Sequence, residues 1–184
     1  MSELGKIILK DGNPILRKKV IPLDVNNISL HDQDLINKMV KYIDICYAGK
    51  ENELEIKPGI AIAANQVGLD KSVIYIHFKE KEIEYKYLLA NSKIVSKSYG
   101  KCFLSTGEGC LSIDDDKYEG YVPRNKTIIV EAYDLINKKM ITITATGILS
   151  ICLQHEIDHL YGIMFYDHIN KNKPFFKKEE WKEI

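Results

Sequence analysis

The stretch of sequence that decides the fold is Gly147–Gly162, which reads GILSICLQHEIDHLYG. Its apolar residues recur at helical spacing, it contains no proline, and Gly162 is a natural stop, so the pattern predicts a single helix. Residues four apart lie one above the other on a helix, which places His155 and His159 on the same face. Both imidazoles can therefore reach one metal ion.

Glu156 flanks that face, where it can contact a water molecule on the metal without being a ligand. The apolar residues on both sides of the motif predict that the pair of histidines is buried, and buried polar groups need partners. A catalytic site usually has three protein ligands and one open position, so two histidines are too few. The motif alone leaves open where the third ligand lies, and leaves open that these are ordinary helix residues.

The length and charge of the chain limit the remaining choices. Its 184 residues, with a formal net charge of zero, predict one domain over residues 1–184. Neutral charge argues against binding to nucleic acid or to a membrane surface. The start of the chain lacks an apolar signal core, and no apolar run approaches membrane length, so we expect a soluble, cytoplasmic protein. The four cysteines have no Cys-x-x-Cys spacing and do not resemble a disulfide framework.

The rest of the chain predicts one more helix and several strands. The helix covers residues 30–48, capped by Ser29 or Asp32, and follows an extended arm with short helical turns. The fold class is therefore α+β, with antiparallel sheets wrapped around the motif helix and a second, N-terminal helix. Asp114–Asp116 has the wrong spacing for a calcium loop, and we expect an exposed loop there. The predicted strands are 73–78, 85–90, 94–99, 127–133 and 140–145.

Two further stretches have unusual composition. Pro58–Gly68 is small, apolar and uncharged, and Gln66 places both a donor and an acceptor at the end of an apolar segment. Small residues let a ligand approach the backbone closely, although they also serve as core filler. In Thr106–Ser112, two glycines flank Glu108 and Cys110 follows at once. A cysteine is most often a small buried residue, but a turning backbone can aim its side chain at a site.

Three of these motifs together resemble those of the peptide deformylases. Gly59–Gln66, Glu108–Ser112 and Gln154–His159 stand in the same order and at similar spacing, over a resemblance from about Gly12 to Asp167. One such motif is weak evidence, whereas three in order are specific. The insertion between Ser112 and Arg124 resembles the class II branch of the family.

The first motif departs from the family pattern at three positions. Ala61 replaces a glycine, Ile62 replaces a leucine, and Asn65 stands where proline is common. These departures bear on the shape of the substrate groove and not on Gln66.

The resemblance implies the missing ligand. Cys110 would join His155 and His159, with the fourth position left to water. A thiolate with two neutral imidazoles suits several metals, and raw affinity favours zinc over ferrous iron. The family generally works with iron, so we expect one Fe²⁺ per chain, with zinc, nickel or cobalt as substitutes.

The resemblance also implies the reaction, which is removal of the formyl group from N-formylmethionyl nascent peptides with release of formate. The bond cut is a linear amide and not a peptide bond. Glu156 would act as general base, and the Leu111 backbone N–H and the Gln66 amide would stabilise the oxyanion. The peptide would add as a strand along the first motif, and transient contact with the ribosome is expected. The expected substrate-binding residues are Gly59, Ile60, Ala61, Ile62, Gly109 and Tyr121.

Two rival functions make different structural predictions. A metallopeptidase would need a third ligand downstream, and His168 is the only later histidine. A structural metal site in a peptide-binding module would be closed by four protein ligands. Arg124 is also a candidate partner for Asp158, which lies in the motif helix but cannot share the face of the histidines; the alternative is that both groups are solvated.

Overall fold

The computed structural model describes residues 3–114 and 117–184. Within that part of the chain there are two α-helices, α1 (Leu30–Tyr47) and α2 (Gly147–Leu160). The strands are β1 (Ala61–Ala63), β2 (Val73–Glu80), β3 (Ile83–Lys97), β4 (Lys101–Phe103), β5 (Arg124–Asn125), β6 (Thr127–Asp134), β7 (Lys139–Thr146) and β8 (Lys182–Glu183). The α+β class is confirmed. Asp115 and Asp116, most of the predicted exposed loop, lie outside the described residues.

The strands form two sheets. The larger sheet has the order β1-β2-β3-β6-β7 and is antiparallel throughout. The smaller sheet has the order β5-β4-β8, and here β8 runs parallel to β4, so the prediction of purely antiparallel sheets is wrong at this one pairing. Neither helix in the described residues combines the length and apolar character that are needed to cross a membrane.

The strand β2 is buried on both faces, because α2 covers one face and α1 the other. Ile74 and Ile76 belong to the apolar cluster that also contains α2 residues such as Leu153. Val73 and Tyr75 belong to a second cluster, with the buried side of α1. Alternate strand residues point to opposite faces, and a strand covered twice is a near-continuous apolar run.

The ends of both helices follow from local sequence. The Ser29 hydroxyl accepts a hydrogen bond from the Asp32 N–H, as predicted for the start of α1. Gly49 follows that helix with a φ of 69°. Beyond α2, Gly162 has a φ of 71°, and an added Cβ would lie 2.5 Å from the Arg17 carbonyl group. Only glycine lets the N-terminal arm pass this close to the end of α2.

The predicted strand at 94–99 is wrong as a separate element. It is the second half of β3, which continues through a change of register between Ala90 and Lys93. Asn91 has a φ of 56° there, and its side chain exchanges hydrogen bonds of 2.8 and 2.9 Å with the backbone of Leu23. The bulge at Asn91 is stabilised by Leu23, which is distant in sequence. The local pattern alone therefore predicts a turn there and not a continuous strand.

Candidate metal centre

The three predicted ligands, Cys110, His155 and His159, lie together. One potential ligand atom from each residue lies within 4.8 Å of the others, and the Cys110 Sγ is 3.3 Å from the His159 Nε2. Two ligand atoms on one tetrahedral ion lie roughly 3.5 Å apart, given usual metal–ligand bond lengths. The exposed fractions are 6%, 8% and 1% in that order. The cluster therefore fits one buried ion.

His155 is oriented by Glu108. The Glu108 Oε2 is 2.8 Å from the His155 Nδ1, which leaves the Nε2 to face the cluster. Arg124 holds the same carboxylate through two hydrogen bonds of 2.7 and 2.9 Å. Burial raises the pKa of Glu108, but Arg124 and then His155 outweigh it and lower the pKa to about 2. The carboxylate thus stays charged. The sequence pattern drew attention to Glu108 between two glycines but did not predict that it orients His155.

Arg124 extends the network to the other side of α2. Its guanidinium also donates to Asp158, which confirms the predicted pair. The Asp158 Oδ2 in turn lies 2.8 Å from the His168 Nε2. His168 is therefore engaged by a carboxylate and does not join the candidate metal-binding cluster found among residues 3–114 and 117–184. The arrangement that a metallopeptidase would need is not formed.

Gln66 has a fixed amide orientation. Its Oε1 accepts from the Ala63 N–H at 2.9 Å, so its Nε2 must be the end that faces Cys110 and Ser112. That nitrogen is 3.0 Å from the Ser112 Oγ and 3.4 Å from the Cys110 Sγ. Gln66 and Leu111 both line the cavity beside the cluster. A donor is thus held ready next to the candidate metal position.

Glu156 lines the same cavity, and one oxygen of its carboxylate makes no hydrogen bond. It is 4% exposed, and its Oε2 is buried without a hydrogen-bond partner. Burial is the main cause that raises the pKa of Glu156, to about 7, and Glu108 adds to it while His155 and Arg124 oppose it. A carboxylate with a raised pKa and a free oxygen can accept and return a proton.

The cavity has a volume of about 340 Å³ and apolar walls. The apolar walls include Ile60, Ile148, Ile151 and Cys152. The cluster residues Cys110 and His155 also line the cavity. Four of the predicted substrate-binding residues line it, namely Gly59, Ile60, Ala61 and Gly109.

The other two predicted substrate-binding residues do not line this cavity. The Ile62 side chain is fully buried in the cluster beneath α1. Tyr121 packs against Phe103 and Phe175, with ring centroids 4.5 and 5.4 Å away. Side chains alternate along a strand, so the buried side chain at Ile62 follows from Ala61 facing the cavity.

The strand beside the cavity has a free edge. In the described residues β1 pairs with β2 alone, so its other edge is unpaired. Just before it, a Cβ added to Gly59 would lie 2.9 Å from the Leu111 Cδ2. A side chain at this position would require Leu111 to shift, so the segment passes close to the loop that carries Cys110. An unpaired edge next to a cavity can accept an extended peptide.

A sequence model of the family described as polypeptide deformylase matches residues 6–175. The chain belongs to the peptide deformylase family. It is 46% identical over 177 residues to a peptide deformylase of Ureaplasma parvum serovar 3, which covers 96% of this chain and 89% of that protein. It is 47% identical over 176 residues to the peptide deformylase of Mycoplasma genitalium, with 95% and 89% covered.

Solved structures of peptide deformylases have the same fold. The enzyme from Thermus thermophilus superposes with a TM-score of 0.70 at 28% identity, covering 91% of this chain and 87% of that one. The class I type b enzyme from Acinetobacter baumannii, bound to Met-Ala-Ser, gives 0.68 at 27% identity, with 88% and 96% covered. The chain is thus a metal-dependent hydrolase that removes the N-formyl group from nascent peptides.

Proposed function

We propose that Cys110, His155 and His159 hold the catalytic metal ion of this deformylase, and that the adjoining cavity receives the formyl-methionyl end of its substrate. The observation that carries this proposal is the position of the Glu156 carboxylate. Glu156 lines a cavity beside a cluster of three candidate ligands, and its buried Oε2 has no hydrogen-bond partner. A structural metal site has four protein ligands and needs no free base, so this arrangement favours catalysis.

The metal proposed is Fe²⁺, one per chain, with zinc, nickel or cobalt as substitutes. A thiolate with two imidazoles is a donor set that all of these ions accept. When bound, the ion supplies a Lewis acid that polarises the formyl oxygen and lowers the pKa of water. Glu108, through its hydrogen bond to His155, orients one of the ligands for it.

The side chains around the cavity then divide the work of hydrolysis. Glu156 takes a proton from the attacking water, whose oxygen bonds to the formyl carbon. The carbonyl oxygen gains negative charge, and the Gln66 Nε2 and the Leu111 N–H donate to it. The C–N bond then breaks, Glu156 delivers its proton to the leaving amine, and formate departs. The Gln66 amide is held in its orientation by the Ala63 N–H before the substrate binds.

The substrate proposed is the amino-terminal end of an N-formylmethionyl nascent peptide. An unbranched methionine side chain suits the apolar walls around Ile148 and Ile151. The following residues would add to the free edge of β1 through backbone hydrogen bonds. The related enzyme from Acinetobacter baumannii, whose structure carries Met-Ala-Ser, supports this assignment by analogy. Gly59, Ile60, Ala61 and Gly109 would contact the peptide directly.

We further propose that residues 1–184 act as one catalytic domain in the cytoplasm, where nascent peptides are made. A transient contact with the ribosome would bring the enzyme to its substrate. The zero net charge gives no support for general binding to nucleic acid. Assignment to the class II branch also stays a prediction.

Formate release tests the proposal. Iron-loaded protein, kept under anaerobic conditions, is incubated with a formyl-Met-Ala-Ser peptide, and formate is measured together with the new free amine. The acetylated peptide is the matched control, because it presents the same side chains without the small formyl group. Equal amounts of formate and free amine are expected from the first peptide alone. Protein that binds the metal but releases no formate would contradict the proposed site.

A further inference from the structure

Asn65 contacts the metal-binding helix from outside the cavity. It lies in the short helical turn after β1, next to Gln66, yet it does not line the cavity. Its Nδ2 donates to the backbone carbonyl of His159 at 2.6 Å, and the two residues are 0% and 1% exposed. This carbonyl belongs to the last turn of α2, where it also accepts a hydrogen bond from the Gly162 N–H at 3.1 Å. Asn65 therefore ties that turn to the loop that carries Gln66.

Two buried polar atoms at this contact have no hydrogen-bond partner, namely the Asn65 Oδ1 and the His159 Nδ1. They are chemically complementary. The His159 Nε2 is the atom that faces the Cys110 Sγ, so metal binding through the Nε2 leaves the proton on the Nδ1. A ligating histidine almost always donates this second N–H to an acceptor. The Asn65 amide, which already binds the His159 carbonyl, carries such an acceptor in its Oδ1.

The two candidate histidine ligands differ in this respect. The Nδ1 of His155 is hydrogen-bonded to the Glu108 Oε2 at 2.8 Å. No side chain in the described residues makes that hydrogen bond to His159, and Asn65 is the one whose amide already binds the same residue. Asn65 is also a position at which the first motif departs from proline, which has no side-chain amide.

We propose that Asn65 is a positioning residue for the metal ligand His159. Its amide N–H fixes the last turn of α2 through the His159 carbonyl, and its Oδ1 supplies the acceptor for the His159 Nδ1–H in the metal-bound protein. The role rests on the proposed metal site. It gives each ligating histidine its own orienting side chain, Glu108 for one and Asn65 for the other.

Cobalt binding to Asn65→Ala tests the proposal without relying on activity. The dissociation constant is measured by competition with a chelator, and the visible absorption of the cobalt-loaded protein reports the geometry of its ligands. Loss of an orienting partner typically weakens metal binding by about 10–100-fold. We expect a loss in that range together with an altered cobalt spectrum.

Asn91→Ala is the matched control. Asn91 also makes two hydrogen bonds to backbone atoms, both to Leu23 in the β3 bulge. That variant should lose stability while its cobalt affinity and spectrum stay unchanged. If Asn65→Ala also keeps the wild-type affinity and spectrum, Asn65 is merely structural and the proposal is wrong. If Asn65→Ala does not fold, Asn65→Ser is measured against the same two criteria.

The wild-type protein separates this test from that of the metal site itself. Cobalt bound by Cys110 gives a thiolate charge-transfer absorption, which Cys110→Ser should abolish. If wild-type protein lacks this absorption, the proposed site fails as a whole. If the absorption is present and Asn65→Ala leaves both affinity and spectrum unchanged, only the positioning role fails.

Discussion

The Glu108 Oε2 lies 2.8 Å from the His155 Nδ1, and this contact joins the two motifs that supply the candidate ligands. Glu108 precedes Cys110 by two residues in a loop, whereas His155 is on α2. Arg124 holds the same carboxylate, so the loop, the helix and the start of β5 are fixed by one ionised group. A carboxylate on a ligating histidine sets its tautomer and its ring orientation. The candidate metal site is thus organised by a residue that lies outside the group of candidate ligands.

Glu108→Gln should weaken metal binding by about 10–100-fold, because the neutral amide is a poorer acceptor for the His155 N–H. It should also lower the free energy of unfolding, by less than the roughly 3–5 kcal/mol usual for an orphaned buried charge, since Asp158 still faces Arg124. Chelator competition and urea denaturation measure the two effects. Glu131→Gln, on the exposed side of β6, is the control and should change neither quantity.

Cys110→Ser should change metal binding and not merely activity. A hydroxyl is a poorer ligand than a thiolate for zinc or ferrous iron, so the metal content of the purified protein should fall. Metal analysis and chelator competition give the result. Cys102→Ser serves as a control, since that buried cysteine lies outside the cluster and its Sγ faces the Asn125 carbonyl. Wild-type metal affinity in Cys110→Ser, with activity lost, would remove Cys110 from the ligand set.

Asp44 should stabilise the fold in a pH-dependent way. Its Oδ1 is 2.6 Å from the His77 Nδ1 and 2.5 Å from the Tyr75 hydroxyl. Burial raises the pKa of Asp44, but these hydrogen bonds from Tyr75 and His77 outweigh it and the net pKa is lowered. The unfolded chain therefore binds a proton more readily. The stabilisation is complete above the ordinary carboxyl pKa and is lost as the pH falls through the lower folded value.

Asp44→Asn should consequently lower the free energy of unfolding at neutral pH, and the difference from wild type should shrink in acid. Urea denaturation of both metal-free proteins over a pH series measures this. Asp34→Asn on the same helix is the control, because its pair with Lys38 is solvent-exposed and contributes little. A difference that stays constant or grows as the pH falls would contradict the sign of the shift.

The parts of the fold that the sequence predicts are those fixed by local periodicity. The helix α2 and its stop at Gly162 follow from apolar spacing and a glycine, and the Ser29 cap follows from its own side chain. The bulge at Asn91 depends on Leu23, which is distant in sequence, so the local pattern does not reveal it. The pairing of β8 with β4 is hidden for a related reason, because two residues carry no periodic signal.

The residues of the candidate site also differ in how far the local sequence predicts them. The spacing within the helix motif makes His155, His159 and Glu156 candidates, whereas Cys110 needs the family resemblance. The Arg124–Asp158 pair follows from charge and position. The contact of Glu108 with His155 does not, because an acidic residue between glycines carries no sign of its distant partner.

Glu156→Gln should keep the metal and lose most of the rate. The amide has nearly the same shape but cannot accept the proton of water, and a general base typically contributes about 10²–10⁴-fold. Metal content and kcat for a formyl-Met peptide are measured on the same sample, with Glu131→Gln as the surface control. Turnover close to the wild-type rate would exclude Glu156 as the base.

Gln66→Leu should act on the transition state more than on substrate binding. The Gln66 amide is neutral and adds little affinity for an uncharged formyl group, but a hydrogen bond to a charged oxygen is roughly twice as strong. Losing one oxyanion donor typically costs about 2.7–4 kcal/mol in the barrier, so kcat should fall about 10²–10³-fold while KM changes little. Steady-state kinetics with a formyl-Met peptide provide both constants.

The hydrogen bond between Gln66 and Ser112 calls for a control variant in this experiment. The Gln66 Nε2 also donates to the Ser112 Oγ at 3.0 Å, so the leucine variant loses a structural hydrogen bond together with the oxyanion donor. Ser112→Ala removes that bond and leaves the Gln66 donor in place, held by its Oε1 on the Ala63 N–H. We expect Ser112→Ala to keep most of kcat. If it loses as much as Gln66→Leu, or if Gln66→Leu raises KM while kcat holds, then Gln66 shapes the site and the oxyanion depends on the metal and the Leu111 N–H.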